Sequence, residues 1–169
     1  STPAPQGSPR PVPGDTVLHP LVFGAGTLAI LVAATRYARR AGTRAATPKS
    51  LVLGTLWFVG IYFASGLGFR WPAALAGVFL VTWIGRIWLR PDRVSFALFS
   101  VLLAIAGSAF EAALSAAGGF AYALPGPLVV PLWLPGLYLH GAPLAVAIAS
   151  RLGPGDTAGT PARTPAQQI

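Results

Sequence analysis

The sequence predicts an all-α fold, a polytopic bundle of transmembrane helices. Of its 169 residues 54% are hydrophobic and only 9% charged, with a mean hydropathy of +0.64. Soluble domains carry about a quarter of their residues charged, so this chain has too few charges to cover a water-facing surface. The apolar residues also gather in five blocks of about 19, the length at which a helix crosses a bilayer. The basic residues lie between those blocks rather than along one face. In hydrocarbon each span must satisfy its own backbone polar groups, which makes the blocks helices. Strands of a membrane barrel would be about ten residues long and alternate in polarity.

The length suggests one domain. Residues 1–16 are rich in Pro, Gly and Ser without an apolar period, and are expected to form a disordered tail. Neither end reads as a cleavable signal peptide, which would pair a basic start with an apolar core. The spans are expected at 17–35, 51–69, 71–89, 94–117 and 130–152, followed by a second disordered tail at 153–169. Pro125, Pro127, Pro131 and Pro135 should hold the connection before the last span extended. Pro143 removes one hydrogen bond inside that span and should kink it.

Orientation follows from the loops. The first carries Arg36, Arg39, Arg40, Arg44 and Lys49, and the third carries Arg90 and Arg93 with Arg86 just inside the helix end. The C-terminal tail begins at Arg151. The second loop has only Arg70, and Gly118–Leu128 has no charge. The positive-inside rule then places loops one and three and the C-terminus in the cytoplasm, and the N-terminal tail outside. Eleven of the twelve basic residues are Arg, Lys49 being the exception. With the abundant Ala, Gly and Pro this suggests a GC-rich bacterial genome and the inner membrane as location.

Composition excludes several functions. The net charge of +8 and pI near 11.4 would suit nucleic acid only if the charge lay on one face, so no nucleic-acid partner is expected. There is no Cys, and hence no disulfide, thiolate metal site or thiol nucleophile. Two His, His19 and His140, make no metal site. No HExxH, GxSxG, phosphate loop or carboxylate pair occurs, and the chain has four acidic residues in all. The expectation is a non-enzyme with no cofactor other than a bound lipid.

The fourth span places Ala104, Ser108, Glu111 and Ser115 at helical spacing on one face. Such a face is either a seam of small residues between helices or the wall of a cavity. Glu111 is the one acidic residue within a span. It lies roughly 26 Å along the helix from Val94 at 1.5 Å per residue, near the outer surface. His140, between Pro135 and Pro143, is either a hydrogen-bonded packing residue or part of a pocket wall. Trp57 and Phe63 lie deeper than the aromatic belt at the span ends, and Tyr138 lies in the fifth span. The candidate lipid-binding set is therefore Trp57, Phe63, Ser108, Glu111, Ser115, Tyr138 and His140. A rival organisation, a homo-oligomer of two or three copies, would use Gly77, Gly85 and the Ala73–Gly77 spacing of the third span.

From about Leu51 to Leu152 the order of features resembles the Insig (insulin-induced gene) family. IYFASGLGF (Ile61–Phe69) is similar to the end of the family's third helix, Ala64 and Ser65 matching its Ala-Ser pair. RIWLRPDRVS (Arg86–Ser95) resembles its Asp-Arg step at the cytoplasmic end of the fourth helix. GGFAYALP (Gly118–Pro125) resembles its Gly-aromatic-x-Tyr-x-x-Pro loop, and LWLPGLYLHGA (Leu132–Ala142) the start of its last helix. The Tyr-to-Trp-Leu-Pro spacing is the most specific part. Where the family has acidic residues after the Ala-Ser pair and after the loop proline, this chain has Gly66–Phe69 and Gly126, and Glu111 stands where the animal proteins are uncharged.

The resemblance implies six helices with both ends in the cytoplasm. That agrees with five spans if the family's first helix lies upstream of Ser1; a true five-span variant is the alternative. It also implies a membrane lipid sensor. Eukaryotic members bind oxysterols and hold Scap and HMG-CoA reductase in the endoplasmic reticulum. Asp92 matches an Asp that the family uses for partner binding, and equally suits a helix-end salt bridge with Arg90 or Arg93. The expected ligand is sterol-like or diacylglycerol-like, because a cavity with apolar walls and few polar groups suits a neutral lipid.

Overall fold

A computed structural model of the chain describes residues 15–126 and 129–152, with side chains from Leu21 onward. The expected C-terminal tail, residues 1–14 of the N-terminal one, Pro127 and the side chain of His19 lie outside the described residues. All regular structure among the described residues is helical: α1 Asp15–Arg40, α2 Pro48–Gly68, α3 Pro72–Trp88, α4 Arg93–Ala116 and α5 Leu134–Leu152.

Three helices, α1, α2 and α4, are long and apolar enough to cross a membrane. Helix α3, at 17 residues, reaches about 26 Å and falls just short of the roughly 30 Å hydrocarbon core. The outward surface is apolar: Leu67, Leu89 and Val94 are 81%, 86% and 70% exposed. A water-soluble monomer rarely carries contiguous apolar surface on this scale, whereas lipid solvates it.

Local chemistry sets the helix ends. Thr47 caps α2, its hydroxyl accepting from Ser50 N at 3.1 Å, and Pro48 follows where a missing N–H costs nothing. Pro72 opens α3 in the same way. α1 and α4 both end in a Schellman turn. In α1, Thr43 N donates to Ala38 O (2.9 Å) and Gly42 N to Arg39 O (3.3 Å), with Gly42 at φ +59°. In α4, Gly119 N donates to Leu114 O and Gly118 N to Ser115 O, with Gly118 at φ +80°. Only glycine takes that left-handed position without strain.

Two span boundaries differ from expectation by four residues or more. α1 continues through Arg36–Arg40 to the glycine turn, because charge ends the apolar block while the backbone ladder continues. The last helix begins at Leu134 rather than residue 130, so Trp133 precedes it. Pro135 can sit only in its first turn, and a turn from Leu134 N to Pro131 O (3.1 Å) leads in. The helix runs unbroken through Pro143.

α5 is central and packs against each of the other four helices. Four of its eight buried residues are small, Gly136, Ala142, Ala145 and Ala149, and small side chains let helix backbones approach closely. Around it lie two apolar clusters. Ala34, Ala38, Phe96 and Leu103 pack on its C-terminal half, against Ala142, Ala145, Val146 and Ala149. Ile61, Leu75 and Phe79 gather at its start with Trp133 and Leu137. The fit is tightest at Gly136, where an added Cβ would stand 2.7 Å from Cβ of the fully buried Phe79. Gly136→Ala is therefore expected to destabilise the bundle by about 1–3 kcal/mol, the usual range for overpacking, read as a lower unfolding midpoint in matched detergent. An unchanged midpoint would show that the α3–α5 contact can give way freely.

Candidate functional site

The end of the bundle remote from Arg36 and Arg40 holds a cavity of about 750 Å³. Its walls come from the start of α1, the ends of α2 and α4, and the start of α5. The α4–α5 connection supplies a further wall. The Schellman turn at Gly118 sends that connection back across the helix ends. There Phe120 lies 6.0 Å from Phe23, Tyr122 meets Phe120 edge-on at 5.2 Å, and Trp133 meets Tyr122 at 6.4 Å with the rings perpendicular. A second turn, with Gly126 N donating to Val130 O, returns the chain to α5. A side chain at Gly126 would strike that carbonyl at 2.7 Å.

Glu111 supplies the cavity's carboxyl group. Tyr138 Oη donates to its Oε1 at 2.6 Å, and Tyr122 Oη donates to its Oε2. A carboxyl group removed from water is costly unless hydrogen-bonded, and here two phenols serve both oxygens. Tyr138 reaches across because α4 has Gly107 beneath its ring, where a Cβ would lie 2.4 Å from the ring carbons. The rest of the wall is mostly apolar or aromatic, with Tyr62, Phe69, Leu134 and Leu137 prominent. Ser65, 5% exposed, uses its hydroxyl within α2, donating to Tyr62 O at 2.6 Å. Such a site can seat an apolar body with one hydrogen-bonding head against Glu111 and the phenols. Among the described residues no three His, Cys, Asp or Glu side chains gather to hold a metal.

The seven expected lipid-binding residues do not all converge. Glu111 lines the cavity, and Tyr138 meets it by its hydroxyl while its ring lines the adjacent groove between α1 and α4. Ser108 faces a different groove, of about 730 Å³, between α4 and the chain entering α5, and its buried hydroxyl oxygen has no hydrogen-bond partner. Three residues along a helix is a rotation of about 60° from the starting face, enough to separate Ser108 from Glu111. Ser115 is half-buried near the end of α4, its carbonyl accepting from Gly118 N. Phe63 is 65% exposed on the outer face of α2.

His140 and Trp57 form a separate polar knot. His140 is 1% exposed. Its Nδ1 accepts from Trp57 Nε1 at 3.1 Å, and its Nε2 lies 3.0 Å from Phe79 O and 3.1 Å from Thr82 Oγ1. An indole N–H can only donate and a carbonyl can only accept, so the ring is the neutral tautomer with its proton on Nε2. This knot ties α2, α3 and α5 together, and every ring nitrogen is satisfied within it.

Asp92 lies at the opposite end, immediately before α4. Arg90 donates to both carboxylate oxygens at 2.9 Å, and Tyr37 Oη donates to Oδ2 at 2.9 Å. The helix-end salt bridge weighed from the sequence is present, with Arg90 as partner. Arg90 holds the Asp92 carboxyl below the usual carboxylate range, with the Tyr37 phenol helping and burial opposing.

Sequence spacing missed Tyr122 as a site residue. The available signal was a lone tyrosine in a charge-free Gly/Pro loop. Comparisons with protein-family models, curated proteins and solved structures give no match.

Two outcomes follow. His140→Leu leaves the Trp57 N–H without its acceptor and should cost about 1–3 kcal/mol in detergent unfolding while leaving cavity occupancy unchanged; a change in occupancy without loss of stability would return His140 to the site. The folded pKa of Asp92 is lowered, so its stabilisation is present above the unfolded value of about 3.9 and is lost as pH falls through the folded value. Asp92→Asn should therefore be less stable than wild type near neutrality, by under about 1 kcal/mol for so exposed a pair. The gap should close in acid, and a gap independent of pH would contradict the ion-pair account.

Proposed function

We propose that this chain is an Insig-like, non-enzymatic lipid sensor of a bacterial inner membrane, with its C-terminus in the cytoplasm. Its ligand is a neutral lipid, sterol-like or diacylglycerol-like. One observation carries the reading: Glu111, the one acidic residue within the apolar spans, stands in the wall of an apolar cavity and is held by two tyrosines from different segments. The volume of about 750 Å³ falls within the roughly 300–1,000 Å³ usual for small-molecule sites. A lipid hydroxyl would donate to Glu111 or take the place of Tyr122, while the aromatic walls solvate the hydrocarbon body. The segments that resemble the Insig family, Ile61–Phe69, Gly118–Pro125 and Leu132–Ala142, contribute much of that wall. A protein partner engaging Asp92 would have to displace Arg90 or Tyr37.

A second reading rests on the other groove. The unpartnered Ser108 hydroxyl in an almost wholly apolar furrow beside α4 suits a helix of a second copy, and hence a homo-oligomer without a specific ligand. The two readings separate on Glu111→Leu and Ser108→Leu, each purified gently and analysed for bound lipid and for mass in mild detergent. The sensor reading expects Glu111→Leu to lower occupancy by the enriched lipid roughly tenfold, the equivalent of one lost hydrogen bond, with Ser108→Leu close to wild type. Unchanged occupancy in Glu111→Leu, together with loss of an oligomer in Ser108→Leu, would favour the assembly reading.

A further inference from the structure

The geometry points to a second lipid site, at the basic end of the α1–α4 seam, that takes the phosphate headgroup of an anionic phospholipid. A furrow of about 700 Å³ there is lined at its mouth by Arg36, Tyr37 and Arg40. Arg36 and Arg40 are four residues apart, so they project from one face of α1 and repel each other. The nearby carboxylate is already taken: Asp92 is bonded by Arg90 through both oxygens and by Tyr37. Among the described residues the only ion pair is that of Arg90 and Asp92, which leaves both furrow guanidiniums without an acidic partner. An anion seated between them would relieve the repulsion and accept their hydrogen bonds.

The furrow continues into the hydrophobic depth. Ala33, Leu103 and Ala106 line both it and a second groove of about 460 Å³, which follows the same two helices as far as Phe23. From Arg40 to Phe23 along α1 is roughly 26 Å, longer than the roughly 15 Å that half a hydrocarbon core spans. An acyl chain can therefore lie along the seam while its phosphate stays at the arginines. Free phosphate would use only the mouth, and a zwitterionic lipid would bring its own cation to the same place. Basic pockets between helices at a membrane surface are a general form of anionic-lipid site. The arginine mouth lies at the opposite end from Glu111, and only the far end of the second groove, at Phe23 and Tyr138, reaches that cavity.

The test is native mass spectrometry of the purified chain with dioleoylphosphatidylglycerol against dioleoylphosphatidylcholine. Wild type should retain the anionic lipid preferentially. Arg36→Gln and Arg40→Gln should each reduce that preference roughly five-fold, and Arg36→Lys should keep most of it. Arg39→Gln is the control, since Arg39 is exposed in the same turn but does not line the furrow. Ala106→Phe should fill the furrow and weaken retention with no change in charge. The proposal is overturned by equal retention of the two lipids, by an equal loss in Arg39→Gln, by an Ala106→Phe variant that binds normally, or by displacement of the lipid with millimolar inorganic phosphate.

Discussion

Everything in this bundle depends on α5 touching four other helices at once. A helix of ordinary side chains would hold its neighbours about 8–10 Å from its axis and leave gaps that lipid would enter. Gly136, Ala142, Ala145 and Ala149 remove that bulk where the neighbours cross. Without a hydrophobic drive between helices in lipid, close packing and interhelical hydrogen bonds must supply the cohesion. The knot of Trp57, Phe79, Thr82 and His140 adds the polar part, joining three helices through one neutral imidazole.

That arrangement leaves the two ends of the bundle with different chemistries. Around the start of α5, where α1, α2 and α4 also present their ends, the packing opens into a cavity and the α4–α5 connection folds over it. The polar inventory there is one carboxyl group and a few phenols. At the other end the small residues of α5 close tightly on α1 and α4, and the charge lies outside, in Arg36, Arg40 and the Arg90–Asp92 pair. Glu111 can be held inside because α4 carries Gly107 one turn earlier, which makes room for Tyr138. The site thus follows from the same economy of side-chain volume that holds the helices together.

Much of this was legible in the sequence, for identifiable reasons. The spans show because charge is almost confined to their boundaries. Glu111 stands out as the one acid among them, and Tyr138 was placed with it. The first span ran longer than expected because hydropathy stops at Arg36 while hydrogen bonding does not. Helix phase was harder to read. α2 is apolar nearly all round, so nothing in its pattern tells that Phe63 faces outward while Trp57 reaches inward to His140. On α4, spacing grouped Ser108 with Glu111, yet a rotation of about 60° puts them on different grooves. Tyr122 needed tertiary information, since its position depends on a glycine turn folding a charge-free loop back over the helices.

The central claim is that the cavity around Glu111 holds a particular lipid. The most direct measurement is quantitative lipid mass spectrometry of the gently purified wild-type protein beside detergent-matched membrane extracts. The account predicts one neutral lipid species, enriched over the bulk membrane and close to one molecule per chain. A lipid profile indistinguishable from the bulk membrane would contradict it.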